Sequence, residues 1–217
     1  GNILKESHYY STKSDYWGKR NKEEFLNKWL QKFDIAHHIK MESVNDGLGI
    51  TLRLYKSEED TTGQLLADMG FGITQLVSIL LSIVTHGLLV IKEANPPYTI
   101  IVIEEPENHL HPAYQSLLAD MFYDAWKRLG VMFVIETHSE YLIRKTQVIL
   151  AGAYAWNKAK HESCDYHIPP FDNPFKVYYI PKNDKPYEMI YRKDGNFEND
   201  FGTGFYDEAA NLAFQTL

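Results

Sequence analysis

The chain has 217 residues, 44% of them apolar, enough to bury a core of one domain plus an appendage. A net charge of −7 argues against a broad nucleic-acid surface, since such surfaces are basic. The single cysteine, Cys164, rules out a disulfide framework and favours a reducing compartment. No signal peptide is visible, and a soluble, cytoplasmic domain is expected.

In chain order, residues 22–34 place Phe25, Leu26, Trp29, Leu30 and Phe33 at helical spacing, which predicts an amphipathic helix. Residues 48–55 alternate like a strand, and Lys56–Gly63 is a polar connection. Gly70 and Gly72 flank Phe71, and a long apolar helix is expected from about Ile73 to Ile91. A glycine-rich turn opening a helix offers free N–H groups and a positive dipole end to an anion. Thr74 and Gln75 add polar groups in the first turn. The helix is long enough for a membrane span, but Thr74, Gln75, Ser78, Ser82, Thr85 and His86 mark it as a core helix.

Residues 99–112, TIIVIEEPENHLHP, are the most informative segment. The apolar run Ile100–Ile103 predicts a strand buried on both faces, as in a parallel sheet. It runs straight into Glu104 and Glu105, where open α/β sheets place their ligands. Adjacent carboxylates there are costly unless a cation or a proton is shared between them. Residues 111–129 have helical spacing and end at Gly130, a good C-cap. A second apolar strand, Val131–Ile135, then leads into Glu136-Thr137-His138-Ser139. Strand, helix, strand implies parallel neighbours, with Glu105 and His138 on one edge of the sheet.

After a helix over Glu140–Leu150, a polar, aromatic insert is expected at about 151–174. Lys176–Ile180 and Glu188–Arg192 then read as strands, the second followed by an Asp-Gly turn at 194–195. His161, Cys164 and His167 have an H-x-x-C-x-x-H spacing chemically suited to zinc, lacking a fourth ligand. His109 and His111 are read as turn residues that pack or hydrogen-bond against a partner. The small basic clusters at Lys19-Arg20-Lys22, Lys127-Arg128 and Arg144-Lys145 are read as solvated helix faces.

Taken together, Gly70–Gln75, Ile100–Glu105, Pro106–Pro112 and Thr137–Ser139 resemble the ABC-type ATPases, and within them the SMC/RecF/OLD-like "AAA family" branch. The resemblance covers roughly residues 22–217, with four motifs in the family's order. It implies an α/β fold: the parallel-sheet half of a P-loop NTPase with helices on the sheet, plus a small C-terminal α+β appendage. Gly70, Gly72, Thr74 and Gln75 then match a divergent signature motif that meets ATP. Glu104 matches the magnesium-side Walker B carboxylate and Glu105 the catalytic base. Pro106–His111 resembles the D-loop, and His138 the switch histidine at the γ-phosphate. The tail is similar to the DUF3696 domain. The organisation expected is a helical segment at 1–45, the signature/Walker B lobe at 46–150, and insert plus appendage at 151–217.

Two departures stand out. Walker B normally ends Asp-Glu, and here Glu104 replaces the Asp. No G-x-x-x-x-G-K-S/T loop occurs, and the only Gly-Lys pair, Gly18-Lys19, is followed by Arg20. Without that loop there is no phosphate cradle and no P-loop lysine. Together with the start at Gly1, this reads as the C-terminal half of a longer ATPase. ATP and Mg2+ would then require the Walker A half of the same protein. A homodimer, and DNA or an effector subunit, are the partners expected of the complete protein; a membrane is not. The alternatives are a non-catalytic regulatory or dimerisation module, or a Toprim-like metal-dependent nuclease. The nuclease ranks low, because no Asp-x-Asp occurs in the chain.

Overall fold

The computed structural model describes residues 13–44, 49–87, 99–161, 173–207, 212 and 214–215. The chain forms two compact units, residues 1–138 and 139–217.

In the first unit, helix α1 (Lys13–Lys32) is followed by strands β1 (His38–Val44), β2 (Gly49–Tyr55) and β3 (Gln64–Leu65). These make an antiparallel sheet in the order β1-β2-β3. A 3-10 turn at Leu66–Asp68 leads to helix α2 (Phe71–His86), strand β4 (Thr99–Glu104), helix α3 (Pro112–Leu129) and strand β5 (Val131–Glu136). Strands β4 and β5 pair in parallel, with Glu104 opposite Glu136. The α/β class and the parallel, helix-connected strands agree with half of a P-loop NTPase.

Three helices supply most of this unit's core. Phe25, Trp29, Leu30 and Phe33 of α1 are buried, with Leu76, Leu80 and Ile83 of α2 and Leu118, Met121 and Leu129 of α3. Two polar contacts fix α1 against α3. Trp29 Nε1 donates to Asp124 Oδ2 at 2.9 Å, and Lys28 Nζ reaches the same oxygen at 2.7 Å. Helix α3 begins where the His111 ring nitrogen accepts the Ala113 N–H, with Pro112 in its first turn. It ends at Gly130, whose φ of 62° is the left-handed cap that the sequence predicts.

Several boundaries differ from expectation. Helix α1 starts at Lys13 rather than 22, and β1 has no counterpart in the sequence reading. The expected helix from Ile73 to Ile91 ends at His86, because Gly87 caps it; residues 88–98 lie outside those described. No described helix is long and apolar enough to cross a membrane.

The largest correction concerns β4. Its run of isoleucine and valine reads as two-sided burial, yet Ile100 is 61% and Val102 69% exposed. On β5, their register partners Met132 and Val134 are exposed as well. Helix α3 packs against the opposite face, where Phe122 and Phe133 have ring centroids 4.7 Å apart. Nothing among the described residues buries the other side.

The second unit contains helix α4 (Glu140–His161) and an antiparallel hairpin of strands β6 (Val177–Tyr179) and β7 (Tyr187–Met189). The expected insert therefore begins as helix, continuing α4 as far as His161. Aromatic rings do the packing: Phe201 lies 5.5 Å from Tyr179, 4.7 Å from Phe205 and 4.7 Å from Tyr206. At the Asp-Gly turn, Gly195 has φ 84° and lies so close to the Gln147 carbonyl that a Cβ would overlap it. The Asp194 carboxyl is held well below its ordinary value, first by the Arg192 guanidinium and then by Asn196.

Candidate active site

The site grows from the end of β4. The Glu105 N–H donates to the Glu136 carbonyl at 2.9 Å, adding one rung to the ladder. The chain then turns sharply, and Glu105 takes φ 45°. A non-glycine residue in this left-handed region is strained by about 1–3 kcal/mol, a cost found mostly at functional sites. Pro106 follows at the second position of a turn closed by Asn108 N–H onto the Glu105 carbonyl at 3.0 Å. A second turn closes with Leu110 N–H on Glu107 O, and His109 has φ 60°.

Parallel pairing brings the two strand tips together, as the sequence predicts. His138 Nε2 lies 3.1 Å from Glu136 Oε1 and 3.7 Å from Glu105 Oε1. Asn108 Nδ2 donates to the other Glu105 oxygen, Oε2, at 3.2 Å. The ligating atoms of Glu105, Glu136 and His138 lie within 4.8 Å of one another, so the trio could hold a divalent cation. Glu104, expected on the magnesium side, lines the same cleft outside that trio. The cleft is open, about 460 Å³, and bounded by Phe71, Gln75, Glu104, Glu105, Asn108 and Glu136.

The glycine-rich turn meets this site from the side of α2. Gly70 is the N-cap of α2, and a Cβ there would meet nothing within 4 Å. Gly72 is different: a Cβ would stand 2.6 Å from the His109 carbonyl oxygen, so the glycine permits close packing against the turn after β4. Phe71 is 69% exposed, with its ring edge-on to His109 at 5.1 Å. The Thr74 hydroxyl faces the Leu66 and Gly70 carbonyls, each at 3.4 Å. Gln75 Nε2 donates to the Glu105 carbonyl at 3.0 Å. In the described structure, then, Thr74 and Gln75 serve their own chain.

Three residues at the site escaped the sequence reading. Glu136 was legible in principle: VIEE at 102–105 and VIET at 134–137 end alike, and a parallel register pairs them. Asn108 and Glu107 carry no such signal, because their roles depend on how the turn folds back. His109 packs on Phe71 and His111 caps α3, so both are occupied within the chain. Of the proposed zinc ligands, Cys164 and His167 lie outside the described residues.

Residues 3–143 match the family described as AAA ATPase domain, and the chain belongs to that family. No curated protein matches it in sequence. Among solved structures, it is similar to one reported for ATP-driven dimerization and DNA-stimulated activation of SMC ATPases. Identity there is 10% over 94% of this chain and 97% of that chain, with a TM-score of 0.46. It is also similar to an SmcHead bound to the C-winged helix domain of ScpA, at 14% identity. That match covers 58% of this chain and 36% of that chain, with a TM-score of 0.43.

Proposed function

We propose that the chain is the signature- and Walker B-bearing half of an ABC-type ATPase, ending in a DUF3696-like appendage. The observation that carries this reading is the strand-tip cluster: Glu105 in a left-handed turn, with His138 and Glu136 in reach, beside the start of α2. Membership of the AAA ATPase domain family supports ATP as the substrate.

On this reading Glu105 orients or deprotonates the attacking water, and His138 stabilises the γ-phosphate. The carboxylates at the tip are hard oxygen donors of the kind that Mg2+ prefers, and Glu104 would hold the ion largely through water. Magnesium would supply neutralisation of charge on the phosphates. Gly70 and Gly72 bring the start of α2 to a nucleotide held by a second protomer.

The P-loop must come from elsewhere, because no such motif is present in this sequence. The uncovered face of Ile100, Val102, Met132 and Val134 suits the docking of that Walker A half. Parallel sheets are normally covered on both faces, and fully burying a large aliphatic side chain contributes about 1.5–3 kcal/mol. The complete protein would be a cytoplasmic homodimer whose nucleotide-gated closure acts on DNA or on an effector subunit.

The deciding experiment is ATP turnover and size-exclusion chromatography with ATP on the complete protein, Glu105→Gln and Glu104→Gln. Glu105→Gln keeps size and loses basicity, so turnover falls about 10²–10⁴-fold while the ATP-bound dimer persists. Glu104→Gln weakens Mg-ATP binding itself. Wild-type turnover by Glu105→Gln would remove Glu105 as the base.

A further inference from the structure

Beyond Glu105 and His138, the turn holds a third acidic side chain with a different environment. Glu107 is only 8% exposed, whereas Glu105 and Glu136 stand about half in solvent. Its Oε1 accepts the backbone N–H of His138 at 2.6 Å, from a residue 31 positions away. Its Oε2 has no hydrogen-bond partner among the described residues. Burying a carboxylate costs free energy unless its oxygens are satisfied, so the single short, charge-assisted bond is the favourable contact visible for it.

The position of that bond matters. Glu104 opposite Glu136 is the last register pair of β4 and β5. Past it, the His138 amide turns to the Glu107 carboxylate. The His138 side chain is 76% exposed, so little packing holds the imidazole itself. Its backbone anchor is a side chain from the same turn that carries Glu105. One short segment, Glu105 to Glu107, therefore sets both the carboxylate and the place of the imidazole that faces it.

We propose that Glu107 is a positioning residue for His138: its buried carboxylate clamps the His138 amide and so holds the imidazole in line with Glu105. This rests on the reading of Glu105 and His138 as the catalytic pair. Glu107 is buried and is not among the residues that bound the cleft, and it acts through the backbone it grips.

Reach and charge can be separated by two substitutions. Glu107→Gln keeps an acceptor oxygen at the same distance and removes the charge. Glu107→Asp keeps the charge and withdraws the oxygen by one methylene. Hydrogen exchange of the His138 amide in this chain should stay slow in Glu107→Gln and become fast in Glu107→Asp. In the complete ATPase, Glu107→Gln should keep most of the wild-type kcat. Glu107→Asp should lose about 10-fold or more, within the range of about 10²-fold expected when a reacting group is misplaced by an ångström. KM for ATP should not move in either. Glu107→Asp combined with His138→Ala should be no slower than His138→Ala alone, as residues acting as a unit behave.

The reverse order, with kcat lost and the His138 amide exchanging fast in Glu107→Gln while Glu107→Asp keeps both the wild-type kcat and slow exchange, would overturn the proposal. So would additive losses in the double variant, or wild-type kcat in Glu107→Asp while His138→Ala is slow. Wild-type turnover in both His138→Ala and Glu105→Gln would instead refute the catalytic reading on which the proposal rests.

Discussion

The side-chain amide of Gln75 donates to the backbone carbonyl of Glu105 at 3.0 Å, across 30 positions of sequence. The glycine-rich turn that opens α2 and the acidic turn after β4 are therefore joined within one chain. Gln75 Oε1 is buried in the same place without a partner among the described residues, so the amide is oriented by what its nitrogen donates to.

Gln75→Glu tests this link. The substitution preserves size but sets an acceptor against the Glu105 carbonyl, and an unmade buried hydrogen bond costs about 1–3 kcal/mol. Thermal or denaturant unfolding of the nucleotide-free chain should show that loss. Unchanged stability would mean that this hydrogen bond does not tie the two turns together.

Gly72→Ala is expected to be destabilising for a steric reason. Its Cβ would meet the His109 carbonyl oxygen at 2.6 Å and the carbonyl carbon at 3.0 Å, and backbone cannot rotate away as a side chain can. Overpacking of this kind costs about 1–3 kcal/mol. Gly70→Ala meets no neighbour within 4 Å and should unfold within about 0.5 kcal/mol of wild type. Equal melting of the two variants would contradict this packing.

The chain by itself should neither bind Mg-ATP tightly nor hydrolyse it, because a P-loop makes most phosphate contacts and this sequence has none. Calorimetric titration should give no micromolar binding. Tight binding would place the phosphate cradle among residues of this chain.

In the C-terminal unit, Tyr191 carries a pH signature. The Thr146 hydroxyl donates to the Ile143 carbonyl at 2.6 Å, which leaves its oxygen to accept from the Tyr191 phenol, also at 2.6 Å. Burial pushes the Tyr191 phenol up to about 12 from its ordinary value of 10.0. With the folded value above the unfolded one, the stabilisation is complete below pH 10 and is lost as pH rises toward 12. The absorbance titration of wild type minus Tyr191→Phe should have its midpoint near 12. A midpoint near 10 would mean a solvated phenol.

How much of this was legible in the sequence depended on local signals. Strands β4 and β5, helix α3 and its cap at Gly130 could be read because apolar runs, helical spacing and a left-handed glycine act within a few residues. The parallel tips carrying Glu105 and His138 followed from the strand–helix–strand order. Strand β1 was missed because HIKMESV mixes charge into its alternation, although Asn45-Asp46-Gly47 is a hairpin signal before β2. The exposure of Ile100 and Val102 was illegible, since composition reports what a face prefers and not whether anything covers it. The Glu107–His138 clamp was hidden for another reason: a 31-residue separation between a side chain and a backbone amide leaves no periodicity to read.

On the reading proposed above, the left-handed backbone of Glu105, at φ 45°, sets stability against activity at a single position. Glycine adopts φ 45° without the Cβ penalty that any L side chain pays there, a penalty of about 1–2 kcal/mol. Glu105→Gly should relax this turn, offset in part by the greater freedom glycine brings to the unfolded chain. On the reading proposed above, that relaxed chain would have lost its base. A chain tuned for robustness alone would carry glycine at position 105, and the glutamate found there gives up backbone ease for the carboxylate that turnover would need.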